Sequence, residues 1–339
     1  MFSKKLGVDL GTINTLIWEG GQIVLQEPSL VALKAEEDPT QREIPILEIG
    51  QPAREMMGRV DAEDIQIVRP LQNGVIADYE VTTVMLNYYF GKVAGRLRLF
   101  KPTVMISVPF GVTSVERRAV YEAAVSAGAR DAYLIPEPLA AAIGAGLPIS
   151  TPAGDMVVNI GGGITEAAII SMNNIVRAES GRMGGLRMDE AIMSYIRRKY
   201  NLNIGQPTAE SIKIQVGGAV EIPNPLSMDV QGRDNLTGLP QTITINTGEV
   251  VEALEEVLAS IAQVVKTVLS DTPPELASDI IDRGIVLTGG GALLRGIDSY
   301  LTRQTGVPVY RSESPMIAVA TGAGRALEDR ALLTRIIGV

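Results

Sequence analysis

Leu6-Gly-Val-Asp-Leu-Gly-Thr-Ile-Asn-Thr-Leu-Ile17 and Val157-Val-Asn-Ile-Gly-Gly-Gly-Ile-Thr-Glu-Ala-Ala-Ile-Ile170 are two copies of one template. Each is an apolar strand ending in a polar residue, then a glycine turn, then a second apolar strand. Asp9 in the first copy falls where Asn159 falls in the second. A third turn, Thr288-Gly-Gly-Gly291, follows the strand-like run Ile285–Thr288. Successive backbone N–H groups with no Cβ in the way make a concave site suited to phosphate oxygens. One such turn alone is equally a tight hairpin; two matched turns and a third in one chain point to nucleotide binding. No G-x-G-x-x-G with a ribose-binding acid about 20 residues further on follows the first strand, so a dinucleotide site competes poorly.

Working outward, the β-branched run Pro102–Pro109 reads as a buried strand. Thr113-x-x-Glu116 reads as a capping box opening a helix to about Ala127. Ala132–Ile135 is again strand-like, and Glu137-Pro138 starts a helix of small residues, Ala140 to Ala145, suited to close packing. Val250, Leu254, Val257, Leu258, Ile261, Val264, Val265 and Val268 recur at helical spacing between Gly248 and Leu269, a core stripe. Thr272-Pro-Pro-Glu275 opens a further helix with proline in its first turn. Strand–helix alternation predicts an α/β fold of parallel sheets covered by helices. Residues 34–65 and about 182–242 break the alternation and read as insertions, one into each of two related lobes.

The 339 residues suit two domains at about 150 residues each, and 46% are hydrophobic, which excludes a disordered chain. The chain has no Cys and no His. That removes disulfides, thiolate and imidazole metal sites, cysteine nucleophiles and Ser-His-Asp triads. Carboxylates, Lys/Arg, hydroxyls, backbone amides and an oxygen-liganded cation remain. With 30 basic and 39 acidic residues the net charge is −9, which argues against a nucleic-acid partner. No apolar run approaches the ~20 residues of a membrane-spanning helix, and Met1–Lys5 passes directly into a strand-like run, leaving no room for a secretion signal. The expected location is cytoplasmic.

The same residues resemble the actin/Hsp70/sugar-kinase superfamily and, within it, the bacterial actin-like MreB family, from about Leu6 to Leu327. The most specific segments are Val8–Thr15, Arg69–Asp78, Glu137–Pro148, Thr208–Lys213 and Ile285–Leu294. The resemblance implies an actin-like fold: two α/β lobes with a nucleotide cleft between them, each carrying a smaller subdomain. The first lobe would comprise 1–33, 66–140 and 312–339 with 34–65 inserted; the second, 141–181 and 243–311 with 182–242 inserted. It implies ATP or ADP with Mg²⁺ as ligands. Thr12, Ile13 and Asn14 would form one phosphate hairpin, with Asp9 acting on the metal through water, and Gly161, Gly162 and Gly163 the other. Glu210, Ser211, Ile212 and Lys213 would contact ribose and base; Gly290, Gly291, Ala292 and Leu293 would form the adenine-side turn. Glu137 would orient the water attacking the γ-phosphate, chemistry that needs neither His nor Cys.

Two positions depart from the family: Asn159 stands where it usually has Asp, and Ile164 where it usually has Thr. An amide supplies no negative charge to polarise a metal-bound water, and Ile cannot hydrogen-bond the attacking water. Slow hydrolysis is the expectation, at most a weak ATPase, the alternative being that Asp9, Glu137 and the metal suffice.

The cationic–apolar segment Gly95–Pro102 places Leu97, Leu99 and Phe100 between Arg96, Arg98 and Lys101. It reads either as an edge strand or, with Met1 and Phe2 assisting, as a peripheral membrane contact. The resemblance implies a protein that polymerises with itself, in paired protofilaments, on the inner membrane face. There it would work with wall-synthesis membrane proteins to maintain cell shape. The Thr113–Ala127 helix would be a lateral contact by resemblance, or an ordinary surface helix. A sugar-type small-molecule kinase of the same superfamily is the alternative reading.

Overall fold

The structure, a computed structural model, describes residues 4–35, 45–94 and 101–337. Met1, Phe2, Leu97, Leu99 and Phe100, on which the membrane expectation rests, lie outside the described residues. The chain divides into two compact units, Met1–Ala153 with Ile170–Val176 and Met316–Val339, and Gly154–Ile169 with Arg177–Pro315.

In the first unit, strands β1 (Lys5–Leu10), β2 (Asn14–Glu19) and β3 (Gln22–Pro28) are followed by β4 (Val31–Lys34) and β5 (Ile46–Ile49). Helix α1 (Gln51–Met56), β6 (Ile65–Val68), β7 (Leu71–Gln72), β8 (Val75–Ile76), α2 (Tyr79–Ala94) and β9 (Thr103–Val108) come next. Helix α3 (Ser114–Ser126), β10 (Asp131–Pro136) and α4 (Glu137–Gly144) complete the run. The main sheet has the order β10-β9-β1-β2-β3, and β5-β4-β6 form a separate three-stranded sheet.

The second unit's sheet starts from β11 (Asp155–Ile160), β12 (Thr165–Ser171) and β13 (Asn174–Gly181). Helix α5 (Gly185–Tyr200), β14 (Leu202–Asn203), α6 (Gln206–Val216), β15 (Ser227–Asp234) and β16 (Pro240–Asn246) follow. Then come α7 (Thr247–Ser270), α8 (Pro274–Arg283), β17 (Ile285–Thr288), α9 (Ile297–Thr305) and β18 (Val309–Arg311). The order is β13-β12-β11-β17-β18, with β14-β15-β16 as a smaller sheet. Helices α10 (Ala318–Glu328) and α11 (Arg330–Ile337) return to the first unit.

The expectation of parallel sheets needs correction. β10, β9 and β1 run parallel, but β1–β2 and β2–β3 are antiparallel. The glycine turn at Gly11 sends the chain straight back beside β1, so the repeat that marks the fold is also what makes the sheet mixed. The local readings hold elsewhere. Thr113 and Glu116 form the reciprocal capping box of α3, and the apolar stripe of α7 is buried except Val257, which is only partly covered.

The small-residue helix α4 finds its close neighbour in α10. A Cβ on Gly322 would lie 1.8 Å from Ala140 O, and one on Gly144 would lie 1.8 Å from Ala318 O. Arg325 Nη1 donates to Ile143 O at 3.3 Å at the end of α4. On its other side α10 meets β1: a Cβ on Gly7 would lie 2.2 Å from Gly324 N, and one on Gly324 would lie 2.0 Å from the Trp18 ring.

Candidate functional site

In the first unit, parallel register aligns the carboxyl ends of three strands, where ligands of open α/β sheets bind. Val8 pairs with Ile106 and Ile106 with Leu134, so Asp9, Ser107 and the Pro136-Glu137 step share one edge. Glu137 is half-buried in the first turn of α4. The Ser107 hydroxyl donates to Asp9 Oδ1 at 3.4 Å. Burial pushes the Asp9 carboxyl up to about 7, with the Ser107 hydrogen bond pulling weakly the other way.

The turn after β1 is pinned from one side. Ser29 N donates to Ile13 O at 2.8 Å and Ser29 Oγ to Gly11 O at 2.7 Å. A trans peptide points its N–H opposite its C=O, so the Thr12 and Asn14 N–H groups face away from Ser29. The Thr12 hydroxyl is buried and accepts from Gly74 N at 2.9 Å, which ties the β7–β8 turn to the hairpin. A Cβ on Gly11 would lie 2.6 Å from Asn14 O, so this tight turn needs its glycine.

In the second unit the same device recurs with a helix as the anchor. Gly185 N donates to Gly161 O at 3.0 Å and Leu186 N to Gly162 O at 2.9 Å. The first N–H groups of α5, which would otherwise need a cap, are satisfied by the hairpin's carbonyls. By peptide planarity the Gly162 and Gly163 N–H groups both point away from α5, two adjacent donors in one direction. Gly184 and Gly185, unmarked in the sequence reading, allow the approach: a Cβ on Gly184 would lie 2.5 Å from Gly161 O. Their signal was a glycine pair directly before a helix.

Asn159 pairs in register with Thr288 at the carboxyl ends of β11 and β17. It is buried, and its Oδ1 accepts from the Thr288 hydroxyl at 3.1 Å. Ile164 is buried too, its carbonyl receiving Gly161 N at 2.8 Å. On α6, Ile212 faces the core while Glu210 and Lys213, three apart, share the opposite stripe. Lys213 Nζ lies 2.6 Å from the buried Asp189 Oδ1 and 2.9 Å from Gly185 O. Ser211 Oγ accepts from Gln215 at 2.7 Å. Gly290–Leu293 form a 3-10 turn in which Ala292 is core and Leu293 is exposed. Arg295, also missed from sequence, donates Nη1 to Ile214 O and Gly217 O at 3.1 Å each, joining this turn to the end of α6.

Among the described residues no cluster of three acidic side chains could cage a cation alone. A half-buried carboxylate at the carboxyl edge of the sheet does fit Mg²⁺, which takes one or two carboxylates and completes its shell with phosphate oxygens and water. Asp9 is that carboxylate. Its raised value has a measurable sign. Between about 4 and 7 the folded protein holds a proton that the unfolded chain has released, so stability falls as pH rises through that window. In chelator, Asp9→Asn is expected to melt above the parent at pH 7.5, and the gap to narrow steadily as pH drops toward 4; a pH-independent gap would contradict this origin.

The family model for MreB/Mbl protein matches residues 3–335. The cell shape-determining protein MreB of Escherichia coli (strain K12) is 48% identical over 330 residues, covering 97% of this chain and 94% of that protein. The crystal structure of MreB5 of Spiroplasma citri bound to ADP superposes with a TM-score of 0.91 at 35% identity, covering 99% of each chain. That protein bound to AMPPNP gives a TM-score of 0.89 at 34% identity, covering 100% of this chain and 99% of that one. With the strand–glycine-turn–strand repeat and the fold both in place, this chain belongs to the MreB/Mbl family.

Proposed function

We propose that this chain is an actin-like cytoskeletal protein that binds ATP, polymerises into filaments on the inner membrane face, and helps maintain cell shape by organising wall synthesis. The reading rests first on the paired N–H donors of Gly162 and Gly163, aimed in one direction because α5 holds both preceding carbonyls. It is supported by kinship with a cell shape-determining protein and with a relative crystallised with ADP and with AMPPNP. Thr12–Asn14 and Gly161–Gly163 would each cradle phosphates, Glu210 and the Gly290–Leu293 turn would border the nucleoside, and Glu137 would orient water. Mg²⁺ beside Asp9 would neutralise phosphate charge. Wall-synthesis membrane proteins are the partners this role calls for. Among the described residues no helix is long and apolar enough to cross a membrane, so contact with lipid would be peripheral. The sugar-kinase alternative is not favoured, since kinship runs to cell-shape proteins over 97% of the chain.

Sedimentation with ATP and Mg²⁺, with and without anionic vesicles, tests the reading. The pelleted fraction is expected to rise with protein concentration and with ATP, and vesicles to increase it. Gly184→Ala, which drives a methyl group into the Gly161 carbonyl, is expected to weaken ATP binding by about tenfold or more while the protein stays folded. Absence of pelleting under every condition, or ATP-dependent phosphorylation of a sugar, would overturn it.

A further inference from the structure

Lys213 stands on the helix assigned to the nucleoside, yet its ammonium is held from behind. It contacts Asp189 Oδ1 at 2.6 Å and Gly185 O at 2.9 Å, with only 16% of the lysine side chain and 1% of the aspartate exposed. Asp189 lies one turn into α5, the helix whose first N–H groups grip the carbonyls of Gly161 and Gly162. A Cβ on Gly185 would come within 3.3 Å of Lys213 Nζ, so the glycine leaves the room the ammonium occupies. One unbroken path therefore runs from α6 through Lys213, Asp189 and Gly185 to the phosphate hairpin. Helix α6 has independent anchors: Ile212 in the core, and the Arg295 guanidinium on the Ile214 and Gly217 carbonyls. Helix α5 is held in the same core through Met188 and Ile192, but its start, ahead of Met188, is a glycine pair with no capping side chain.

We propose that Asp189 is a positioning residue: through its ion pair with Lys213 it fixes the first turn of α5, and hence the Gly161–Gly163 hairpin, at the place where the outer phosphates of a nucleotide are held. The inference rests on the nucleotide-binding reading above. Because α6 keeps its own anchors, loss of the tether falls on the phosphate side. The nucleoside side is left nearly intact.

The readout is the ratio of ATP to AMP affinity, measured by calorimetry on the full chain. Asp189→Asn is expected to weaken ATP by about tenfold or more while AMP stays within about twofold. Removing one partner of a buried pair strands the other's charge, so the double variant Asp189→Asn/Lys213→Met, which leaves no such charge, guards against simple unfolding. It is expected to melt near the parent and still show the lowered ATP-to-AMP ratio. An unchanged ratio in both folded variants, or equal losses for the two ligands, overturns the positioning role while leaving nucleotide binding standing. A parent protein that binds neither ligand overturns the nucleotide reading itself.

Discussion

Phosphate release from ATP is expected to rise by about 10²-fold when Asn159 is replaced by Asp, the scale set by one preorganised polar group at a charged transition state. The substitution is nearly isosteric, and the Thr288 hydroxyl that now donates to Asn159 Oδ1 at 3.1 Å would serve a carboxylate equally well. The buried amide satisfies the strand ends but carries no charge to place beside a metal-bound water. Ile164→Thr should add to the gain by restoring a hydroxyl near the hairpin. Measuring phosphate release together with pelleting separates the two consequences: the Asp variant should turn its filaments over faster, and ATP affinity, assigned above to backbone amides, should change little. If the parent already hydrolyses at the variant's rate, Asp9 and Glu137 suffice and the amide is not the brake.

Gly322→Ala is expected to cost about 3 kcal/mol or more of stability, lowering Tm by about 4 °C or more for a chain of 339 residues at roughly 2.1 cal/mol/K of unfolding entropy per residue. The added methyl would sit 1.8 Å from Ala140 O and 2.8 Å from Gly144 N. Those are backbone atoms of α4, which no rotamer change can move aside, so the two helices must separate along their whole contact. Calorimetry checks it; a Tm within 2 °C of the parent would show that α4 and α10 slide apart freely.

The strand–turn–strand repeat was legible because glycine turns punctuate the chain and the polar residue at each strand end stands out against an apolar run. The small residues of α4 announced a close contact, but not its partner: α10 is apolar on most of its surface, and its Gly322 and Gly324 follow no helical period. Lys213 was singled out in the sequence only through the family resemblance. That its ammonium belongs to Asp189 was not legible, because the two lie 24 residues apart on different helices and nothing local couples them. Arg295 escaped for the same reason, its carbonyl partners being 81 and 78 residues away.

The contact of α10 with β1 also bears on how the chain is made. Strand β1 is synthesised about 310 residues ahead of α10, which covers Gly7 through the Gly324 backbone. At about 5–20 residues per second, roughly 15–60 s separate the two at the ribosome. Residues 177–315, by contrast, emerge as one stretch and bring most of their own core with them. The second unit can therefore close its core as it emerges, while the first must wait, its sheet half-covered, until α10 is released to close it.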